Sequence, residues 1–294
     1  MSTPDRILVT GGGGRLGRAL RSIGCKAYAR SELDITNPKS VSRALDHAGP
    51  AIVINAAAYT NVEAAETDRS GAFAVNAEGA GHVANACAER DIPLIHISTD
   101  YVFGDGDPAQ PISPAATPAP LSIYGESKHA GEQAVQSAGG QSTIVRVSWL
   151  YDGGESTFID KMLKIAATRD ALTIVDDAMG RPSHVADLAP CLVTLANLVL
   201  ERQAGLPEIL HMGPREPASR YDWAVRLFEV SAELGGPSPS LTRCTSDAFP
   251  TKVRHPLGLV LEVGETEPLL GQMPSWHKAT RVAVTQRLAN AAEV

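Results

Sequence analysis

A tyrosine and a lysine four positions apart, Tyr124 and Lys128 in Tyr-Gly-Glu-Ser-Lys, could together move a proton. On a helix they stand one turn apart and share a face. An ammonium beside a phenol favours the phenolate and lowers the tyrosine pKa. A phenol tuned in this way can protonate a carbonyl oxygen as hydride arrives at the carbon. The means of holding a hydride donor lies earlier in the chain. Ile7-Leu8-Val9-Thr10 reads as a short apolar strand, followed by Gly11-Gly12-Gly13-Gly14-Arg15-Leu16-Gly17. Gly11, Gly14 and Gly17 form Gly-x-x-Gly-x-x-Gly after a strand and before a helix, the context of a dinucleotide cradle. The first glycine permits the tight turn, the second lets a pyrophosphate approach the backbone, and the third lets helix and strand pack closely. The helix N-terminus then faces the anion. No Gly-Lys-Ser/Thr follows, which excludes a P-loop nucleotide hydrolase.

Two further positions refine this chemistry. The second strand ends at Ala29-Arg30-Ser31, where an acidic residue would accept from a ribose 2′-hydroxyl and an arginine can pair with a 2′-phosphate. Arg30 therefore points to NADPH, with NADH left open, and Asp34 is placed to face the adenine. The strand ending Ser98-Thr99-Asp100 delivers hydroxyls to the carboxyl edge of the sheet, where open α/β sheets bind ligands. Thr99 is the favoured partner of Tyr124.

The elements that must position these groups alternate. Strands are predicted over 6–10, 26–29, 51–55, 93–98 and 143–149, with helices over 15–23, 38–47, 70–90 and 125–138. Strands 51–55 and 93–98 are apolar almost throughout, as in a parallel sheet covered on both faces. The expected fold is α/β, a Rossmann-type doubly wound parallel sheet with a smaller mixed α/β substrate-binding domain. Residues 1–150 would form the nucleotide-binding domain, with 184–212 returning to it through helix 185–201 and strand 209–212. Residues 151–183 and 213–294 would form the smaller one, including helix 156–169 and strand 172–175. Segment 104–121 carries five prolines and two glycines and must be a long loop. It lies just before Tyr124, where a substrate would enter.

Composition bounds the partners. The chain has 294 residues, 44% hydrophobic and 5% aromatic, enough to bury a large core. A net charge of −7 with no basic stretch argues against nucleic acid. A phosphate-bearing substrate must therefore be held by local groups. No apolar run is long enough to span a bilayer, and no signal peptide is expected. Cys25, Cys87, Cys191 and Cys244 lack metal-ligand spacing and read as reduced thiols in a cytoplasmic protein.

The chain resembles the extended short-chain dehydrogenase/reductases and, among them, the dTDP-4-dehydrorhamnose reductase family. The glycine loop, Arg30 to Ile35, Asn55-Ala-Ala-Ala-Tyr-Thr-Asn-Val-Glu-Ala-Ala-Glu66, Ser98 to Phe103, Tyr124 to Lys128, Val147-Ser-Trp-Leu-Tyr151 and Gly180-Arg-Pro-Ser183 carry the resemblance. It implies a catalytic triad of Thr99, Tyr124 and Lys128. It places Asn55, Ala56, Ala57 and Ala58 on the cofactor floor, with Arg15, Leu16 and Ile35 also on the cofactor. Val62, Asp100, Tyr101 and Trp149 would lie near the sugar. The implied reaction reduces the C4 ketone of a nucleotide-linked 6-deoxyhexulose. Another nucleotide-sugar, or a non-catalytic NADP-binding regulatory role, stays open, as does homodimerisation. Asp100 is followed by Tyr101 rather than Glu, which argues against a dehydratase.

The chain departs from the family in three places. Thr157-Phe158 stands where Asn-Phe is common. His255-Pro256-Leu257-Gly258-Leu259-Val260-Leu261 stands where Arg-Pro-x-x-Ser-x-Leu is the family pattern, with Arg254 one place early. Some members bind Mg²⁺ at a dimer contact through acidic residues, one of them in the first helix; here that position is Ala19, so no metal is expected.

Overall fold

A computed structural model describes residues 4–292. Its centre is a six-stranded parallel sheet of β1 (Ile7–Thr10), β2 (Lys26–Tyr28), β3 (Ile52–Asn55), β4 (Leu94–Thr99), β5 (Ser142–Val147) and a last strand, Ile209–Met212. The spatial order is last strand, β5, β4, β3, β1, β2. Chain order reverses at β1, which is flanked by β2 and β3, so the loops after β1 and β3 open a crevice at the sheet's carboxyl edge.

Every residue of β1, β3 and β4 is buried, because helices cover both faces. Helix α1 (Arg15–Ser22) lies on one face with a long apolar helix, Val185–Leu200. On the other lie α2 (Pro38–Ala48), the helical run 69–88 and the helix Ile123–Ser137. Local chemistry starts these helices where they are needed. Asn37 caps α2 ahead of Pro38, a residue suited to the first helical turn. Ser122 accepts from Gly125 N and fixes the turn that carries Tyr124.

After β3 come α3 (Val62–Ala65) and α4 (Arg69–Phe73). The helix predicted over 70–90 is not continuous. Residues Ala74–Gly79 form a π-helical insert between α4 and α5 (Ala80–Ala88). Asn76 explains the insert. Its side chain accepts from Tyr59 N at 2.8 Å and donates to Tyr59 O and Ser127 Oγ. Its carbonyl sits where a Cβ on Gly131 would come within 2.0 Å. The wider turn brings this backbone against α6 (Ile123–Ser137), the Tyr124 helix.

The strand predicted to run to 149 stops at Val147, because Trp149 takes a left-handed φ of 47°. The chain resumes as β6 (Leu150–Tyr151). Then follow α7 (Phe158–Ala166), shorter than predicted because Thr157 caps it, β7 (Ala171–Val175), β8 (Met179–Gly180) and β9 (Ser183–His184). Helix α8 is Val185–Leu200, and β10 (Ile209–Met212) is the edge strand beside β5. The remaining elements are β11 (Ala218–Ser219), α9 (Arg220–Glu233), β12 (Ser240–Cys244), α10 (Glu267–Leu270) and α11 (Trp276–Ala292). Helices α7, α9 and α11 close a second core around Tyr151, Leu163, Trp223, Phe228 and Trp276.

Candidate active site

The parallel sheet brings the ends of β1, β3, β4 and β5 to one edge. Gly14 is the N-cap of α1 and makes no side-chain cap, so the first amides of α1 point outward for an anion. Gly11 adopts φ 70°, and a Cβ there would lie 2.7 Å from the Ala57 backbone. A Cβ on Gly17 would lie 2.3 Å from Gly11 O. The β1 and β3 loops can therefore touch only through glycine.

Thr10 Oγ1 donates to Asn55 Oδ1 at 2.6 Å and accepts from Ala57 N at 3.2 Å. Asn55 Nδ2 lies 3.1 Å from His96 Nδ1. The three strand ends are thus tied by buried side chains, and burial keeps His96 neutral by pushing its pKa far below the usual range.

The predicted cofactor residues fall into distinct groups. Gly11 and Gly14 follow β1, and Asn55 ends β3 with Ala56 to Ala58 after it, so the two loops meet at the Gly11–Ala57 contact. Leu16 and Ile35 are core side chains, so they can offer a ligand only backbone. Arg15 turns to the 152–155 loop, donating to Glu155 O at 2.8 Å and pairing with Asp152 at 3.4 Å. Arg30 is 76% exposed and lies 3.4 Å from Asp34. Asp34 accepts from Thr36 N and Thr36 Oγ1, which, ahead of Arg30, holds its pKa below the usual value.

The reaction side is a chain of buried side chains. Thr99 Oγ1 donates to Asp100 Oδ1 at 3.0 Å, and Ser148 Oγ donates to Asp100 Oδ2 at 2.7 Å. Burial raises the pKa of Asp100 against these two bonds and the field of Arg220. Tyr124 stands edge-on to Tyr101, ring centroids 5.5 Å apart. Burial raises the Tyr124 pKa, the hydrogen bond with Thr99 opposes that rise, and Asp100 and Tyr101 add to it.

This corrects the expectation that Lys128 lowers the tyrosine. Lys128 is buried and donates to Ile97 O at 2.8 Å. Its own pKa is pulled down to about 8 by burial, with Glu132 opposing. Its charge is spent on a carbonyl of β4 and on Glu132, so desolvation sets the state of Tyr124.

Trp149 packs flat on Gly180, where a Cβ would come within 2.4 Å of the indole. The Arg220 guanidinium lies 3.5 Å from its ring centroid. The ring expected to face a sugar thus already carries a cation. Val62 opens α3, and the next residue, Glu63, acts electrostatically on His255.

The departing segment 254–261 forms the wall of this side. Tyr101 Oη and His255 Nδ1 are 3.0 Å apart. The 104–121 loop pairs with the segment through Gly106 N to Leu257 O and Ile112 N to Val260 O. Leu259, where the resemblance leads to a serine, is buried with Val102, Phe103 and Leu261. Arg181 donates to the carbonyls of Leu261, Pro214 and Arg215 and anchors the wall from below. Beneath the floor, Arg146 forms a two-bond pair with Glu132 at 2.9 and 2.8 Å and donates to Pro114 O.

Sequence reasoning missed Ser148, Arg220, His96 and the Glu132–Arg146 pair. Ser148 lay inside a quoted stretch; Arg220 gave no signal. No group of three or more metal-ligating side chains occurs among the described residues, and no described helix is long and apolar enough to cross a membrane.

The doubly wound sheet and its glycine crevice define a dinucleotide-binding α/β class. A family model described as the RmlD substrate binding domain matches residues 5–289. The chain belongs to the dTDP-4-dehydrorhamnose reductase family. It is 38% identical over 288 residues to the dTDP-4-dehydrorhamnose reductase of Mycolicibacterium smegmatis, covering 95% of this chain and 85% of that one. It is 38% identical over 257 residues to that of Mycobacterium tuberculosis strain H37Rv, covering 84% and 81%. The Bacillus anthracis dTDP-4-dehydrorhamnose reductase in complex with NADP is similar in structure, with a TM-score of 0.83 and 30% identity over 94% of this chain and 97% of that one.

Proposed function

We propose that this protein uses NADPH to reduce the C4 ketone of dTDP-4-dehydro-β-L-rhamnose to dTDP-L-rhamnose. The observation that carries the reading is the convergence of Thr99 and Tyr124 at the β4 edge, beside the glycine crevice, in a chain of this family. The uncapped N-terminus of α1 and the Gly11–Ala57 contact fit a pyrophosphate, and exposed Arg30 fits a 2′-phosphate.

When bound, NADPH supplies the hydride. Tyr124 holds the proton that the ketone oxygen takes up, and its raised pKa keeps that proton on the phenol until the more basic oxygen of the reduced carbon forms. Thr99 orients the same oxygen by turning its hydroxyl, which donates to Asp100 in the free site, toward the ketone. Lys128, anchored on Ile97 O one helical turn from Tyr124, supports the ribose side. The phenolate regains its proton from solvent. The unit built on the second core supplies the sugar side, with Val62, Asp100, Tyr101 and Trp149 around it. We place the reaction in the cytoplasm, consistent with four free thiols.

A second reading is reduction of another dTDP-linked keto-sugar. The dTDP-4-keto-6-deoxy-D-glucose reductase of Streptomyces niveus is also 38% identical, over 77% of this chain. The wall at His255 and Leu259 differs from the family pattern, which favours keeping this substrate in view.

The test is to mix the protein with NADPH and enzymatically generated dTDP-4-dehydro-β-L-rhamnose and follow the nicotinamide absorbance. Oxidation that Tyr124→Phe abolishes supports the reading. No oxidation, with NADPH bound, overturns the rhamnose assignment.

A further inference from the structure

A diphosphate-linked substrate brings negative charge into a cleft of a protein whose net charge is −7. The cations around the cleft are largely spent. Lys128 donates to Ile97 O, Arg181 to three carbonyls, and Arg15 to Glu155 O. Arg254 pairs with Asp105 and Arg30 with Asp34.

Arg220 differs. It opens α9, is half-buried, and lies over Trp149 at 3.5 Å, with Phe158 and Trp223 further off at 5.2 and 5.6 Å. Among the described residues its guanidinium makes no side-chain ion pair or hydrogen bond. The carboxylate nearest in effect, Asp100, has both oxygens committed to Thr99 and Ser148. Arg220 also acts electrostatically on Tyr101 and His255, so it faces the reaction side rather than the second core alone.

A half-buried guanidinium whose donors are not spent on the protein is free to take an anion at the cleft. Its planar fork suits a phosphate, and the aromatic bed fixes its orientation at little entropic cost.

We propose that Arg220 is the anion-binding residue of the substrate site, donating to the diphosphate of the nucleotide-sugar from the face of Trp149. This rests on the nucleotide-sugar reading above and names the group that recognises the substrate's charge.

The experiment measures dTDP binding by titration calorimetry to the wild-type protein, Arg220→Lys and Arg220→Gln, with NADPH affinity as the control for folding. The expected order of affinity is wild type, then Lys, then Gln. Arg220→Gln should be weaker by about 10- to 100-fold, the span of a lost charged hydrogen bond, and NADPH binding should be unchanged. Thymidine, which carries no phosphate, should bind all three equally. Steady-state turnover should show the loss in KM rather than in kcat. Equal dTDP affinities overturn the proposal, as does a fall in kcat at constant KM. The binding arm needs no turnover, so a failed rhamnose assignment and a failed anion site give different results.

Discussion

The two sides of the cleft are built from different materials. The cofactor side is backbone: a glycine turn, the open N-terminus of α1, and a floor of small residues whose side chains matter by being absent. Its side-chain bonds, Thr10 to Asn55 to His96, lie underneath and only join strand ends. The reaction side is built mainly by side chains, and several partners are far apart in sequence: Ser148 on Asp100, His255 on Tyr101, Arg220 on Trp149. Backbone geometry can serve any dinucleotide. Side chains can be exchanged one at a time, and the wall at 254–261 is one of the places where the resemblance leads to a different expected pattern, while the glycine loop keeps it. Damage on the two sides should therefore register in different measurements.

The largest separation is expected from Tyr124→Phe. Loss of a positioned acid lowers kcat by about 10²- to 10⁴-fold, with NADPH affinity unchanged. An equal loss of NADPH binding would mean that the two sides are not independent. Below the floor, Glu132→Gln should leave the Arg146 charge buried and unpaired and destabilise the fold by about 3–5 kcal/mol. Urea unfolding would read it. The 104–121 loop should loosen first under limited proteolysis, because Arg146 also holds Pro114 O.

Lys128 links the two sides and has a pH signature. Its folded pKa is near 8, below the ordinary 10.5. Between those values the unfolded chain carries a proton that the folded chain does not, so stability from this group rises with pH. Wild type should therefore gain on Lys128→Met as pH climbs from about 8 to about 10, by up to about 3 kcal/mol for a shift of this size. A constant difference across that window would show that the ammonium is not desolvated.

Gly17→Ala strikes the backbone side. Its Cβ meets Gly11 O, so it should cost about 1–3 kcal/mol and weaken NADPH before it changes the KM for sugar.

The same contrast decides what was legible in the sequence. A glycine loop is local, so its spacing, its strand and its helix all lie within one short stretch. Continuous apolar strands likewise announced the parallel sheet and its covered faces. Tyr124 and Lys128 were legible as a helical pair, but not the state of the phenol. That depends on Asp100, Tyr101 and burial, and on a carbonyl of β4 that takes the ammonium. Arg220 was invisible because nothing near it in sequence marks it; only the break at Trp149 and the start of α9 bring guanidinium and indole together. The π-helical insert was hidden for a related reason. Asn76 reads as one polar residue in an Ala-rich helix until Tyr59, Ser127 and Gly131 are in place around it.

The smallest expected effect tests what holds the reaction-side wall. Arg254 and Asp105 form an exposed pair at 2.8 Å, with the side chains 68% and 45% accessible. Exposed pairs contribute about 0–1 kcal/mol, so Arg254→Ala should barely move stability or KM. Asp105→Ala should cost more, because Asp105 Oδ1 also accepts from Leu257 N at 3.1 Å and so fixes the segment's backbone. Leu259→Ala should exceed both, since it opens the small core shared with Val102, Phe103 and Leu261. Measured as the change in KM for the keto-sugar, that order would show that the wall is positioned by its apolar underside and one backbone bond. An effect of Arg254→Ala as large as that of Leu259→Ala would instead show that surface charge holds the wall, and the contrast between a backbone-built side and a packed side-chain side would fail at its outer edge.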